Sequence, residues 1–437
     1  ISGRVIMPGV RHPGETLVKA YMEAAANELD NSRFCQANFA MDEAIGHADK
    51  ALEFIRYAED DSADYSRLLF LILSGKYMSY DWKGMYTEAE DLARNMVEVA
   101  NHMGDAEKQS EALVRLGRAQ HGRGNPVEAQ QNYELALEIL GSHGDRFIRA
   151  RIFNRMGMVA DALRKYDEAI SYYLKAAEIN NVKDYESDYG ANLLNAGISC
   201  RKMADFTKAM EYFENARILF ESVGMKHMIA AVLNQVGLLY LTRQDFARAE
   251  DHFTRALEID KQTNNHKARA EHLLNLGRLF SDQKSETAAL ECYEESLGLY
   301  YLTGDNQAQA NVNTSMAQSW LELADLPKAE NCIIKALRIV ENLPNQSNLA
   351  WILGNYGDFL MAAGKNDEAL TQYEKALAIN SASGEQMAIT GDYIRLASFY
   401  KAAGKQKEMQ QYISLGLKCA EGCNNLRDIE KLKSIDY

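Results

Sequence analysis

Small side chains recur along the chain at intervals of 40 residues, each within an apolar stretch of helical periodicity. The recurring positions are Gly117, Gly157, Gly197, Gly237, Gly277, Ala317, Gly357 and Ala397, preceded by Gly75. Each of the first seven is followed by an alanine, from Ala129 to Ala369, then by a large side chain, from Tyr133 to Tyr373. Another small residue follows, from Ala136 to Ala376. Such regular spacing predicts a tandem array of one structural unit.

The spacing within each repeat is typical of a pair of packed helices. Residues at i, i+4 and i+7 share one helix face, so Ala129, Tyr133 and Ala136 face the same way. Small residues let two helices approach closely, and we expect the aromatic side chain to fill the gap left by the neighbouring pair. The pattern therefore predicts an all-α chain of helix hairpins.

Polar and turn residues between the apolar stretches predict where the helices begin. The second helix of several repeats has a residue suited to an N-cap, namely Asn125, Asp205, Asp245, Ser285 or Asp325. Turn-like segments separate the repeats: Gly104-Asp105, Gly144-Asp145, Asn264-Asn265, Gly304-Asp305 and Gly384-Glu385.

Composition narrows the class of protein further. The chain of 437 residues has only 5 prolines, and its hydrophobic fraction of 47% is enough for a core. A net charge of −14 disfavours general binding to nucleic acid or anionic membranes. No apolar stretch reaches the roughly 20 residues of a membrane span. The six cysteines are scattered at helical positions, as is typical of reduced thiols, which predicts a cytoplasmic protein.

The pattern divides the chain into four parts. We expect an extended N-terminal tail over residues 1–15, a degenerate repeat over 16–61, the main array over 62–422 and a polar capping helix over 423–437.

The segment Asn234 to Ile259, NQVGLLYLTRQDFARAEDHFTRALEI, resembles the tetratricopeptide-repeat family. The 40-residue period is similar to the LGN/Pins, kinesin light chain, MalT-type and Rap-type arrays. The resemblance implies a right-handed superhelix, an α-solenoid of about nine to ten repeats. It also implies that the first helices line a concave groove in which a protein or peptide partner binds.

One groove position is polar in all eight repeats. Two residues before the recurring small residue stand Arg115, Arg155, Asn195, Gln235, Asn275, Ser315, Asn355 and Arg395, and Asn154 and Asn234 lie one residue earlier in alternate repeats. A helix interior has no propensity reason to prefer asparagine. We expect a ladder of amide and guanidinium groups that binds the backbone of an extended peptide. The alternative is a solvent-exposed position that is simply polar.

Basic side chains concentrate on the first helices of the early repeats. They are Lys76, Arg115, Arg118, Arg151 and Arg155, followed by Arg201 and Lys202, and only Glu111 is expected to oppose them. We interpret this stretch as a clamp for an acidic segment or a free carboxylate. The alternative is that these arginines pair with carboxylates inside the array.

The sequence contains no recognisable catalytic, nucleotide-binding or metal-binding motif, so we expect no enzymatic activity, cofactor or metal. Our leading hypothesis is an adaptor or scaffold that binds a peptide or protein partner, as an extended and partly acidic segment, in its groove. Two alternatives are the sensor region of a larger signalling protein, such as a transcription regulator, kinase or cyclase, and a structural subunit of a large assembly.

Overall fold

The computed structural model describes residues 15–37, 40–58, 62–142, 144–341, 348–383, 386–422 and 426–436. Within these ranges the ordered elements are 21 α-helices, and the chain divides into two compact units, which we call unit 1 (Ile1–Val223) and unit 2 (Gly224–Tyr437). Of the expected N-terminal tail, only Glu15 lies within the described ranges, where it begins the first helix. The segment Gly384-Glu385 lies outside them.

Unit 1 contains five helix hairpins in chain order. Its helices are α1 (Glu15–Ala37), α2 (Met41–Ala58), α3 (Ala63–Trp82), α4 (Tyr86–Met103), α5 (Ala106–Gly122), α6 (Pro126–Leu140), α7 (Arg146–Ala162), α8 (Tyr166–Asn180), α9 (Glu186–Lys202) and α10 (Phe206–Ser222). Each odd-numbered helix packs against the even-numbered helix that follows it, and each hairpin packs against the next. Unit 1 is therefore an α-solenoid.

Unit 2 repeats the same design and adds a terminal helix. Its helices are α11 (Lys226–Thr242), α12 (Phe246–Thr263), α13 (His266–Asp282), α14 (Glu286–Thr303), α15 (Asn306–Glu322), α16 (Leu326–Glu341), α17 (Leu349–Ala362), α18 (Asn366–Ser383), α19 (Gln386–Ala402), α20 (Gln406–Gly422) and α21 (Leu426–Asp436). Helix α21 packs on α19 and α20, burying Leu432 and Ile435 beside Met409 and Ile413. The all-α solenoid with a C-terminal capping helix is confirmed.

The recurring glycine allows the two helices of one hairpin to pack closely. A Cβ atom added at Gly117 would lie 2.7 Å from Cε1 of Tyr133, and one added at Gly157 would lie 2.6 Å from Cε1 of Tyr173. The aromatic ring thus fills the space left by the glycine of its own hairpin. The expectation that it fills a gap at the neighbouring hairpin is wrong, because the missing side chain of the glycine leaves room directly beneath the ring.

From the α3–α4 hairpin onward, the turn inside each hairpin has a residue in the left-handed conformation at a fixed repeat position. Nine such positions occur within the described ranges: Gly84, Gly124, Arg164, Ala204, Gln244, Lys284, Ala324, Gly364 and Gly404. The next residue returns an N–H to the helix that has just ended, as in Asp205 to the carbonyl of Cys200 at 2.9 Å. This turn conformation is the one that glycine adopts most easily, yet five of the nine positions carry a side chain.

Side-chain caps start many of the helices. The expected caps Asp205, Asp245 and Asp325 accept hydrogen bonds from backbone N–H groups at 3.2–3.3 Å, whereas Asn125 and Ser285 make no such bond. Asp105, Asp145, Asn265 and Asp305 cap first helices in the same way. Capping therefore fixes the register of most hairpins, and the first helices take their positions from it.

Candidate functional site

A cavity of about 420 Å³ lies in unit 1, lined by residues of α3, α5, α7, α8 and α9. Its lining includes six of the residues that the sequence predicted for partner binding: Arg115, Arg118, Arg151, Asn154, Arg155 and Asn195. We call this cavity the arginine pocket. Four successive first helices contribute to it, as a site on a repeat array requires when each hairpin touches only its neighbours. Its volume is in the range of pockets that bind small molecules or short peptide segments.

Two of the four arginines are already paired with carboxylates. Nη2 of Arg115 lies 2.8 Å from Oε1 of Glu111, and Nε of Arg118 lies 2.5 Å from Oδ1 of Asp81. Burial lowers the pKa of Arg118, but the bond to Asp81 outweighs it and raises that pKa above the ordinary value. For these two side chains, the alternative of pairing inside the array is the correct one.

The expectation that only Glu111 opposes the basic stretch is wrong. Asp49 bonds to Lys76 at 2.5 Å, Asp81 bonds to Arg118, and Asp161 pairs with Lys202. Each partner lies on a different helix from the cation it neutralises, so the pairing depends on the way the hairpins stack.

The other two arginines have no such partner. Among the residues that the structure describes, no carboxylate lies within ion-pairing distance of Arg151 or Arg155. Arg151 is exposed, while Arg155 is half-buried and makes only a contact of 3.3 Å from Nη1 to the sulfur of Met158. Burial, together with the nearby charge of Arg118, lowers the pKa of Arg155. The pocket therefore holds positive charge that the described residues of unit 1 do not neutralise.

Amide side chains complete the wall of the pocket. Nδ2 of Asn154 donates to Oδ1 of Asn192 at 2.6 Å, which joins α7 to α9 and leaves the Nδ2 group of Asn192 available. Asn180 also lines the pocket, although it is only 5% exposed, and no side chain or backbone group of the described residues bonds to its amide. Asn180 therefore offers its side-chain amide to a ligand in the pocket.

The sequence alone missed several lining residues. Tyr77, Asp81, Asn180, Asp188 and Asn192 line the pocket but were not among the predicted binding residues. The sequence does contain a signal for Asp81 and Asn192. Side chains that contact each other between successive first helices are 37 to 41 residues apart, and Asp81 has this spacing from Arg118, as Asn192 has from Asn154. Asn180 lies on a second helix, so a search restricted to first helices cannot find it.

Five predicted binding residues belong to unit 2, and they do not form the expected ladder. Asn234 and Asn275 are buried and bond to each other, with Nδ2 of Asn275 3.0 Å from Oδ1 of Asn234. Asn355 is fully buried; it donates to the carbonyl of Trp351 at 2.7 Å and accepts from Gln318. These amides bond to each other, to Gln318 or to a carbonyl of their own helix, so they do not present a row of free hydrogen-bonding groups.

Gln235 and Arg395 also differ from the expectation. Gln235 is half-buried, and among the described residues no donor reaches its enclosed Oε1 atom. Arg395 donates from Nε to Oδ2 of Asp358 at 3.0 Å, and Tyr373 donates to the other oxygen of that carboxylate at 2.8 Å. Arg395 thus belongs to a closed network within unit 2.

The described ranges contain neither a metal-binding cluster nor a membrane-spanning helix. No three His, Cys, Asp or Glu side chains there are grouped as ligands of a metal ion would be. None of the described helices has both the length and the apolar character that a membrane crossing demands.

The sequence matches the tetratricopeptide-repeat family over residues 148–222, 228–301 and 308–382, which together make up just over half of the chain. The chain belongs to this family. Proteins with these repeats generally mediate protein–protein interactions and are generally non-catalytic scaffolds.

The individual relatives share only low sequence identity with the chain or match only part of it. The chain is 31% identical over 97 residues to kinesin light chain-related protein 3 of Arabidopsis thaliana, of whose length it spans 15%. It is 21% identical over 341 residues to the 43 kDa receptor-associated protein of the synapse of Tetronarce californica, covering 77% of this chain and 73% of that protein. A Rap protein solved in complex with Competence and Sporulation Factor has the same fold, with 14% identity, a TM-score of 0.56 and coverage of 83% of this chain and 99% of the other.

Proposed function

We propose that this protein is an interaction scaffold that binds an extended, partly acidic segment of a partner protein at the arginine pocket. The observation that carries the proposal is the pair Arg151 and Arg155, which line the pocket without a carboxylate partner among the described residues. An anionic side chain of a partner would supply the missing counter-charge. The family assignment supports a protein as the partner.

The pocket contains two kinds of arginine, those paired with a carboxylate and those without such a partner among the described residues. Arg115 and Arg118 are held by Glu111 and Asp81, so their positions are fixed before any ligand arrives. Asn154 is held by Asn192 in the same way. Preorganised donors lose less entropy on binding, which favours a ligand over solvent water. We therefore assign neutralisation of the ligand's charge to Arg151 and Arg155, beside Arg115 and Arg118, which are held in place before the ligand arrives.

A matched pair of substitutions tests the proposal. Arg155→Gln removes one of the two unpaired charges in the pocket, whereas Arg278→Gln removes an exposed arginine on a first helix of unit 2. Binding of a fluorescent ten-residue glutamate peptide is measured by anisotropy on the full chain. Because charge-assisted hydrogen bonds are lost, we expect Arg155→Gln to weaken binding by about tenfold and Arg278→Gln to leave it within about twofold.

Salt and peptide charge provide the controls. Added salt should weaken glutamate-peptide binding in the wild-type protein and have less effect in Arg155→Gln. A lysine peptide of equal length should not bind. Equal loss in both variants, or equal binding of the two peptides, would contradict the proposal.

A further inference from the structure

The arginine pocket has more hydrogen-bond donors than a carboxylate can use. Arg118 employs only its Nε atom in bonding Asp81, and no described residue bonds to its two Nη groups. Arg155 employs only Nη1, and that in a contact to sulfur, while the guanidinium of Arg151 makes no bond to a described residue. A carboxylate has two oxygens and fits one arginine fork.

Like charges lie close together in this pocket. Arg118 and Arg155 are near enough to act on each other, because the charge of Arg118 contributes to lowering the pKa of Arg155 after burial has lowered it. In the same way, burial and then the charge of Arg151 lower the pKa of Arg115. Neighbouring guanidinium groups that repel each other are stabilised most by a multivalent anion placed between them.

The carboxylates of the lining do not remove this excess. Asp81 and Glu111 are committed to Arg118 and Arg115, and Glu111 also bonds to Lys108 at 2.9 Å. Asp188 is the remaining lining carboxylate, and one carboxylate can offset only one of the two arginines, Arg151 and Arg155, that have no ion-pair partner among the described residues. The unpaired amide of Asn180 and the available Nδ2 group of Asn192 add two neutral donors.

Resting on the proposed function, we infer that the anion recognised in the arginine pocket is a phosphate monoester, carried by a phosphorylated serine or threonine of the partner protein. A phosphate has three acceptor oxygens and a charge of about −1.5 to −2 at neutral pH. It can accept from the forks of Arg118 and Arg155 together, with Arg151 and the amides of Asn180 and Asn192 beside them. The site then acts as a reader of the partner's phosphorylation state.

The experiment compares three peptide libraries on the full chain. Each library has neutral randomised flanks around one fixed central residue, which is phosphoserine, glutamate or serine, and binding is measured by anisotropy at pH 7.5. We expect the phosphoserine library to bind about tenfold more tightly than the glutamate library, and the serine library to show no binding. Inorganic phosphate should compete only at far higher concentration than the phosphoserine peptides.

Changing the pH separates a phosphate from a carboxylate. The second ionisation of a phosphate monoester lies near pH 6, so affinity for phosphoserine should fall by about fourfold between pH 7.5 and 5.5. The glutamate library serves as the control, since its carboxylate stays ionised over this range. His121 lies near Arg118 and Arg155, and burial followed by these charges lowers its pKa. A proton gained by His121 at low pH would strengthen anion binding, whereas protonation of the phosphate weakens it.

Variants locate the anion. Arg155→Gln and Asn180→Leu should each weaken phosphoserine binding, by about tenfold and about threefold, and Arg155→Lys should restore part of the loss. Arg278→Gln should have no effect, and circular dichroism checks that each variant is folded. Equal binding of phosphoserine and glutamate would overturn the inference and leave the proposed function standing. Preference for phosphoserine without loss in Arg155→Gln would also overturn it, and failure of both anionic libraries would overturn the proposed function itself.

Discussion

The same repeat position is occupied by Arg155 in unit 1 and by Arg395 in unit 2, and the two side chains have opposite surroundings. The residue 37 positions before Arg395 is Asp358, to which it bonds. The residue 37 positions before Arg155 is Arg118, another cation. Burial lowers the pKa of Arg395, but Asp358 outweighs it and raises that pKa, whereas both burial and Arg118 lower the pKa of Arg155. Identical residues at one repeat position are therefore ion-paired in unit 2 and, among the described residues, without a carboxylate partner in unit 1.

Replacing Arg395 or Arg155 by methionine tests this comparison, and we expect the largest change in the free energy of unfolding here. Arg395→Met leaves Asp358 and Tyr373 without their cation, and should lower the free energy of unfolding by about 2 kcal/mol. Arg155→Met removes a charge that Arg118 repels, and should change stability by less than about 0.5 kcal/mol. Hydrogen exchange of the amides in α17–α19 and in α5–α9 measures the two effects locally. A loss in Arg155→Met as large as that in Arg395→Met would contradict the distinction.

A second difference between the units lies at the repeat position of Asp392. Asp392, which is 2% exposed, accepts a hydrogen bond from Asn380 at 2.6 Å and lies 3.9 Å from Arg395. Burial raises the pKa of Asp392 to about 6, against the opposing effects of Asn380 and Arg395 and with a smaller contribution from Asp358. The corresponding residue of an earlier repeat in unit 1, Ile152, has no charge to titrate.

Asp392 therefore predicts a pH dependence of unit 2. Its pKa in the folded state lies above the unfolded value of about 3.9, so its contribution to stability is fully present below that value and is lost as pH rises through 6. We expect Asp392 to make α18 and α19 more stable at pH 5 than at pH 7 by about 1 kcal/mol. Hydrogen exchange at the two pH values measures the change. Asp392→Asn should abolish that difference, and its persistence in the variant would assign it to another group.

We expect the smallest change in stability at the left-handed turn position, which both units share. Ala204 in unit 1 and Ala324 in unit 2 occupy the left-handed turn position, with φ of 61° and 58°. Replacing either by glycine relieves steric strain but adds freedom to the unfolded chain, so each change should stabilise its unit by about 0.5 kcal/mol. Thermal unfolding checks both variants. Similar gains would show that the turns are equivalent, and a loss in one alone would mean that the units differ in their turns as well.

The sequence predicted the hairpins well because their determinants are local and repeated. Glycine at one helix position and an aromatic residue on the next helix are sufficient to dictate the pairing seen for Gly117 and Tyr133. The sequence also predicted that Arg115, Arg118 and Arg155 lie on one surface, since Arg115 and Arg155 share a repeat position on adjacent first helices and Arg118 follows Arg115 by about one helical turn.

The sequence could not show which polar residues were already bonded. Burial separates Asn195, which lines the pocket, from Asn275 and Asn355, which are enclosed, although all three have the same place in the repeat. That difference depends on side chains contributed by the neighbouring hairpins. Ion pairs such as Arg118 with Asp81 likewise join residues one repeat apart, where a pattern read along a single helix carries no signal.

The arginine pocket is assembled from the first helices of four consecutive hairpins, α3, α5, α7 and α9, together with α8. Small rotations between hairpins add along a repeat array, so the width of the pocket depends on the local curvature of these helices. An anion held between α5 and α7 consequently favours one curvature over others, and any force or partner that bends this segment must in turn alter its affinity for the anion. If the proposed function holds, binding of an anion and bending of these four hairpins influence each other.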